Sequence, residues 1–339
     1  MSKTITLSPS GQSIPVADGD TVLMSLERGG YALPNNCRAG ACGECKVRVL
    51  EGQFDQGFVM DMALSQEERK QGYGLMCMAK PLSDKLVIEW GSADASPKLF
   101  PPREAMPYVV VEKIQRTPRI AEFQLMPLGA PLRFWPGQYV AVCAPRPGAT
   151  PRHYSLANAP RQDGCLTLQV TRVDGGLTSN WLHEEVGIGA SLSLSGPYGS
   201  FIGDPKAETP VLCLAAGSGL APLLSLTEAA LKRGYRKPVT LLFSARHEED
   251  CYALGRLSYW SRMHRNFSWK LTLTGEARPG LLQGRIPALL PGLFPDLSAH
   301  SVFVAGSTAF TEDCIGAALA LGAQPSLLHH ERFMSQRLG

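Results

Sequence analysis

Cys37-Arg38-Ala39-Gly40-Ala41-Cys42-Gly43-Glu44-Cys45, followed after 31 residues by a lone Cys77, is the stretch on which the reading of this chain turns. The spacing is C-x4-C-x2-C…C, that of plant-type [2Fe–2S] sites. Soft thiolates suit iron. Gly40, Ala41 and Gly43 are small, so the loop can wrap closely and aim N–H groups at the sulfurs. Those N–H groups stabilise negative charge and help set the potential. A structural zinc site is the alternative, but zinc usually brings two short cysteine pairs, and here the fourth cysteine stands alone. The expected metal ligands are Cys37, Cys42, Cys45 and Cys77.

Around this loop, residues 1–93 hold short alternating runs (ITLSP, QSIPVA, KVRVLEG, KLVIEW) that read as strands of a small sheet. DGDTVLMSLERGG between them has helical spacing and ends on glycines. CRAGACGECKVRVLEG, with the later LMCMAKP, resembles the ferredoxin module of oxygenase reductases over this whole segment. The resemblance implies a β-grasp-like [2Fe–2S] domain at 1–93. Residues 94–107 are proline-rich with little apolar periodicity, and read as a linker.

Residues 108–203 are strand-rich, with turn residues at the intervals of an antiparallel β-barrel. Arg152-His153-Tyr154-Ser155 lies on one expected strand. It resembles the R-x-Y-S signature of the ferredoxin–NADP reductase superfamily. Arg152 offers a planar fork for a flavin phosphate. Tyr154 can lay its ring on the isoalloxazine, and Ser155 can hydrogen-bond near flavin N5. Gly175-Gly176-Leu177-Thr178-Ser179 follows just before a helix. Gly175 and Gly176 let backbone approach an anion, and a helix start offers free N–H groups. Thr178 and Ser179 bind flavin phosphate in this reading, or serve as plain N-caps. Pro136-Gly137-Gln138-Tyr139 matches the strand preceding the signature. FAD rather than FMN is what the domain order implies by resemblance.

From 204 to 339 strands alternate with helices, which indicates a parallel α/β sheet. Gly217-Ser218-Gly219-Leu220-Ala221-Pro222 follows a buried strand and opens a helix, the context for a dinucleotide pyrophosphate. Pro222 suits the first turn, where its missing N–H costs nothing. The ligand-free alternative is a tight strand-to-helix turn. Gly196-Pro197-Tyr198-Gly199 matches the superfamily's G-P-x-G hinge. Val304-Ala305-Gly306-Ser307 ends a late strand where many relatives read Cys-Gly-Pro. Ala305 stands at the cysteine position, so no thiol is available there, and Gly306 is kept as a nucleotide contact. Glu331-Arg332-Phe333 resembles the E-[K/R]-F ending of oxygenase reductases, where the aromatic covers the flavin face. An aromatic closing the core is the other reading of Phe333. Ser155, Glu331 and Phe333 are the expected catalytic residues. Arg246 could meet a 2′-phosphate, whereas Glu248, Glu249 and Asp250 would repel one. The balance favours NADH, with NADPH possible.

Composition agrees with several ordinary cores. The chain has 339 residues, 44% hydrophobic and 19% charged, with net charge +3. No block of like charge suggests nucleic-acid binding. No run approaches the roughly 18 uninterrupted apolar residues of a membrane span, and the N-terminus has no signal core. A cytoplasmic monomer is expected. The nine cysteines do not suggest a disulfide framework in a chain this long. The resemblance as a whole is to FAD-type reductases that carry electrons from NADH through FAD and a [2Fe–2S] cluster to a terminal oxygenase or its intermediate ferredoxin. A cytochrome P450 or deoxysugar dehydrase partner, or a redox-sensing protein, are the alternatives. A free flavin or ferric reductase with an incidental cluster is a further one.

Overall fold

The computed structural model describes residues 3–203 and 207–333. The expected boundary at 203/204 borders residues 204–206, outside the described residues. The chain divides into two units, Met1–Pro102 with Pro197–Ser200 and Arg103–Gly196 with Phe201–Gly339.

The first unit holds β1 (Thr4–Ser8), β2 (Ser13–Pro15), α1 (Val22–Arg28), β3 (Lys46–Glu51), β4 (Phe54–Asp55), α2 (Gln66–Lys70), β5 (Tyr73–Leu75), β6 (Lys80–Pro81) and β7 (Lys85–Glu89). Its main sheet runs β2-β1-β7-β3-β5. β1 and β7 are parallel, and the other pairs in it are antiparallel. Ile5, Leu7, Leu86 and Ile88 alternate onto one face and bury Val22, Leu23 and Leu26 of α1 against it. Thr21 caps α1 by accepting from Met24 N–H. This is a β-grasp arrangement. The segment expected as linker is not free throughout, because Lys98 and Leu99 N–H donate to the Gly30 carbonyl at 2.7 and 2.9 Å.

The second unit begins with β8 (Arg103–Gln115), β9 (Ile120–Pro127), β10 (Tyr139–Val142), β11 (Arg152–Ser155), β12 (Leu166–Thr171), α3 (Leu177–Glu184) and β13 (Ser191–Tyr198). The sheet order is β11-β10-β13-β8-β9-β12. A bridge between Leu156 and Leu168 joins its two ends, so the sheet curls toward a barrel. Residues 103–107, expected in the linker, lie in β8. Their backbone is taken up by β13 some ninety residues downstream, with Gly196 opposite Arg103.

The remainder is β14 (Val211–Ala216), α4 (Leu220–Lys232), β15 (Val239–Ala245), α5 (Leu254–Met263), β16 (Phe267–Leu273), β17 (Leu282–Gln283), α6 (Ile286–Leu293), β18 (Ser301–Ser307), α7 (Thr308–Ala320) and β19 (Leu328–Phe333). Its sheet, β17-β16-β15-β14-β18-β19, is parallel throughout. Side chains alternate to two cores. Cys213, Ala215, Leu241 and Phe243 meet α4 and α5. Leu212, Leu214, Val302 and Val304 meet α6 and α7. β14 has β15 on one side and β18 on the other, so the chain reverses direction across the sheet at β14. The crevice outside the carboxyl end of such a strand is where ligands bind in open α/β sheets.

Candidate functional site

The cysteine loop is built around short side chains. Gly40 has φ +69°, and a Cβ there would lie 2.8 Å from the Phe58 carbonyl. Ala39 and Ala41 N–H donate to Cys37 Sγ at 3.4 and 3.3 Å, and Cys77 N–H donates to Cys45 Sγ at 3.4 Å. Cys37 and Cys42 are close neighbours, as are Cys45 and Cys77, and each thiol acts most strongly on its own neighbour. Hydrogen bonding from Cys42, then from the backbone, draws the Cys37 thiol down to about 5 against the cost of burial. Cys77 is lowered in the same way, first by Cys45. Among the described residues no group of three or more such side chains is set to hold a single metal ion. Two pairs, one for each iron, fit a two-iron cluster better than one tetrahedral ion.

On the flavin side, β11 pairs with β10 so that Ser155 lies opposite Tyr139 and Tyr154 opposite Val140. Strand alternation puts Arg152 and Tyr154 on one face. Tyr154 is packed on the barrel core and desolvation raises its phenol. Gln138 fixes the preceding turn, accepting from Trp135 N–H at 2.8 Å. α3 starts at Gly176 with no side-chain cap. A Cβ on Gly175, at φ +73°, would meet nothing within 4 Å. The hydroxyls of Thr178 and Ser179 already have protein partners. Thr178 accepts from Ala144 N–H at 3.3 Å, and Ser179 accepts from Val173 N–H at 3.2 Å. What this helix start leaves for an anion is therefore backbone N–H, as at other helix N-termini.

The glycine turn after β14 fits a dinucleotide for two reasons. Gly217 has φ +53° and open space where a Cβ would stand. A Cβ on Gly219 would lie 2.1 Å from the Ala305 carbonyl, so only glycine lets β18 come this close. Gly306 is similarly confined, by Phe310 Cδ1 at 2.7 Å from its would-be Cβ. Pro222 sits in the first turn of α4. Arg246 is exposed beyond β15. Of the acids beside it, Glu248 pairs with Arg278, and Asp250 accepts from His247 N–H at 3.1 Å.

The flavin strand and the C-terminal strand meet directly. Ser155 Oγ donates to Glu331 Oε2 at 3.0 Å. The two residues are 7% and 9% exposed. Burial raises the Glu331 carboxyl to about 8, and the Ser155 hydrogen bond opposes this only in part. β19 pairs with β18, with Glu331 opposite Ala305 and Phe333 opposite Ser307. Glu331 and Phe333 thus share a strand face. Ser155, Glu331 and Phe333 are the three residues expected to be catalytic, and the first two are in contact.

Comparison with known proteins follows the same division. Residues 5–82 match the family described as 2Fe-2S iron-sulfur cluster binding domain, which takes in all four cysteines. Residues 106–202 match the oxidoreductase FAD-binding domain, and 213–315 the oxidoreductase NAD-binding domain. The chain is 34% identical over 335 residues to an aromatic O-demethylase reductase subunit from Amycolatopsis, covering 97% of this chain and 98% of that one. The chain belongs to the iron–sulfur flavoprotein reductases of oxygenase systems. The reductase is also 36% identical over 270 residues to DmpP, the reductase component of phenol 2-monooxygenase from Pseudomonas, covering 79% and 75% of the two chains. Its fold matches the Amycolatopsis cytochrome P450 reductase GcoB with a TM-score of 0.88 at 30% identity, covering 98% and 99%. It is an NAD(P)H-dependent oxidoreductase with [2Fe–2S], FAD and nicotinamide as cofactors. Among the described residues no helix is long and apolar enough to cross a membrane.

Proposed function

We propose that this reductase passes electrons from NADH through FAD and the cluster to the terminal oxygenase of an aromatic-ring hydroxylating system, of Rieske or di-iron type, directly or through an intermediate ferredoxin. It does so as a cytoplasmic monomer. The observation that carries the reading is the buried Ser155–Glu331 contact, in a chain that also holds the paired thiols Cys37/Cys42 and Cys45/Cys77.

When bound, the nicotinamide supplies a hydride, the flavin splits the pair, and the cluster releases electrons singly. The chain positions and excludes water. Arg152 and the first-turn N–H groups of α3, beyond Gly175 and Gly176, take flavin phosphates, with Thr178 and Ser179 contributing through backbone. Tyr154 supports the flavin ring. Ser155 and protonated Glu331 hold a proton at the ring's edge. Phe333, on the same strand face as Glu331, would cover the bound ring. Gly217, Gly219 and Pro222 would form the pyrophosphate turn, Gly306 would leave room at the nicotinamide end, and Arg246 would meet a 2′-phosphate where the nucleotide carries one.

Anaerobic titration with NADH, then NADPH, tests the path. Flavin bleaching with a rhombic reduced-cluster EPR signal at low NADH is expected. Cys77→Ser should keep NADH–ferricyanide activity and lose at least about tenfold of cytochrome c reduction. Unchanged cytochrome c reduction in a folded, flavin-loaded variant would sink the proposal. A second reading, a cytochrome P450 O-demethylase as partner, is supported by the full-length likeness to the Amycolatopsis subunit and to GcoB. Turnover reconstituted with a P450 O-demethylase, but with neither a Rieske nor a di-iron oxygenase, would favour it.

A further inference from the structure

The outward face of the barrel strand β12 does not meet water. Leu166, Leu168 and Val170 enter the barrel core. Thr167 and Gln169 alternate to the other side, yet they are only 5% and 4% exposed. Opposite Gln169 on β9 stands Glu122, equally buried. Gln169 Nε2 donates to Glu122 Oε2 at 2.8 Å, and Arg116 donates to Glu122 Oε1 at 2.7 Å. This fixes the amide, so Gln169 Oε1 is the end presented to Tyr252. The Tyr252 hydroxyl lies 3.1 Å from Gln169 Oε1 and 3.1 Å from the Gly217 carbonyl, two acceptors sharing one O–H. Two residues further along β12, and one further along the turn, Thr171 Oγ1 donates to Ser218 Oγ at 2.8 Å. The Gly217 carbonyl is therefore held by Tyr252, itself seated on Gln169 of the barrel, and the neighbouring Ser218 side chain by the barrel strand directly.

That peptide needs holding. Gly217 has φ +53° with open space around it, so alternative backbone conformations are sterically available. Its carbonyl also accepts from Leu220 N–H at the start of α4. A flip of the peptide would replace an N–H by a carbonyl oxygen in the turn, and a carbonyl repels an anion that an N–H attracts.

We propose that Tyr252 is a positioning residue for the nicotinamide dinucleotide: seated on Gln169 of the barrel, its hydroxyl holds the Gly217–Ser218 peptide with its N–H turned to the pyrophosphate. This rests on the reading of residues 217–219 as the pyrophosphate turn. Tyr252→Phe removes the hydroxyl and keeps the ring, which packs edge-on to Phe243 at 5.7 Å.

The test is steady-state NADH–ferricyanide kinetics of the holoenzyme, with ADP-ribose as a competitive probe that carries the pyrophosphate without the nicotinamide ring. In Tyr252→Phe, KM for NADH and the inhibition constant of ADP-ribose should both rise about tenfold, a loss of about 1.4 kcal/mol of binding. The kcat at saturating NADH, the flavin content and the flavin spectrum should stay as in the wild type. Thr171→Val should shift both constants the same way by about threefold, and serves alone if the Phe variant does not fold. Unchanged KM and inhibition constant would overturn the role of Tyr252. A fall in kcat and flavin content at constant KM would overturn it too, as a general packing defect. Failure of ADP-ribose to compete in the wild type would instead overturn the pyrophosphate turn itself.

Discussion

Glu331 is a carboxyl that keeps its proton near neutrality because water cannot reach it. In the unfolded chain it ionises near 4.5, and in the folded chain at about 8. Between those values the native state holds the extra proton. The stabilisation is complete below the unfolded value and is lost as pH rises through 8. Glu331→Gln should remove that slope, so denaturant unfolding should show the variant gaining on the wild type between pH 5.5 and 8.5. A constant difference across that range would mean Glu331 is not the group titrating. Ser155→Ala should slow flavin reduction by about fivefold to tenfold, the worth of one hydrogen bond, as read by stopped flow. Arg246→Ala should weaken NADPH use while leaving NADH use alone, since the exposed guanidinium has nothing to bind on an unphosphorylated ribose. Legibility at this scale followed chemistry. The four cysteines were readable because ligation imposes a spacing. The hydroxyls of Thr178 and Ser179 were not, because their partners, Ala144 and Val173 N–H, are set by how loops fold back.

Among the elements, the two ends of α3 differ in kind. Its start is a bare glycine, and its far end is gripped by Lys113 of β8. The Lys113 ammonium donates to the carbonyls of Leu182, His183 and Val186 at 3.1, 2.6 and 2.7 Å. A cation belongs at a helix C-terminus, where the last carbonyls lack partners. Lys113→Met should cost about 1–3 kcal/mol, seen as a lower Tm and faster flavin loss on dilution. An unchanged Tm would show that water replaces the ammonium without loss. Gly219→Ala should be worse, because its methyl group must displace the backbone of β18; loss of nucleotide binding or of the fold is expected, read by NADH titration and thermal melting. The alternation of β14 and the glycines after it made this region readable as strand, turn and helix. β8 was read as starting too late, since prolines at 97, 101, 102 and 107 look like a linker. Its first residues are strand because β13 supplies their partners, and local sequence carries no trace of a pairing so distant.

Across the whole molecule, the cores divide unequally. Among the described residues, the ferredoxin core draws only on the N-terminal region, from Ile5 to Trp90. The cores of the barrel and the nucleotide sheet are tied together, since Ile120 and Phe201 lie in the cluster formed with α4 and α5. Residues 103–339 expressed alone should therefore fold as a flavoprotein that reduces ferricyanide with NADH and fails with cytochrome c. An insoluble or flavin-free fragment would show that the division of cores misstates what holds the chain together. Composition and strand–helix rhythm announced three segments. They could not announce the burial of Glu122 and Gln169, because a polar residue on the outer side of a barrel strand normally reads as a solvent position.

The pinning of Lys98 and Leu99 to the Gly30 carbonyl has a consequence for inheritance. It ties the chain to the ferredoxin unit as far as Leu99, just ahead of β8. A genetic crossover just ahead of β8 would transfer the cysteine loop with the whole core from Ile5 to Trp90, leaving Pro197–Ser200 behind. A crossover ten residues earlier would strand the cap on Gly30, and one ten residues later would cut a barrel strand in two.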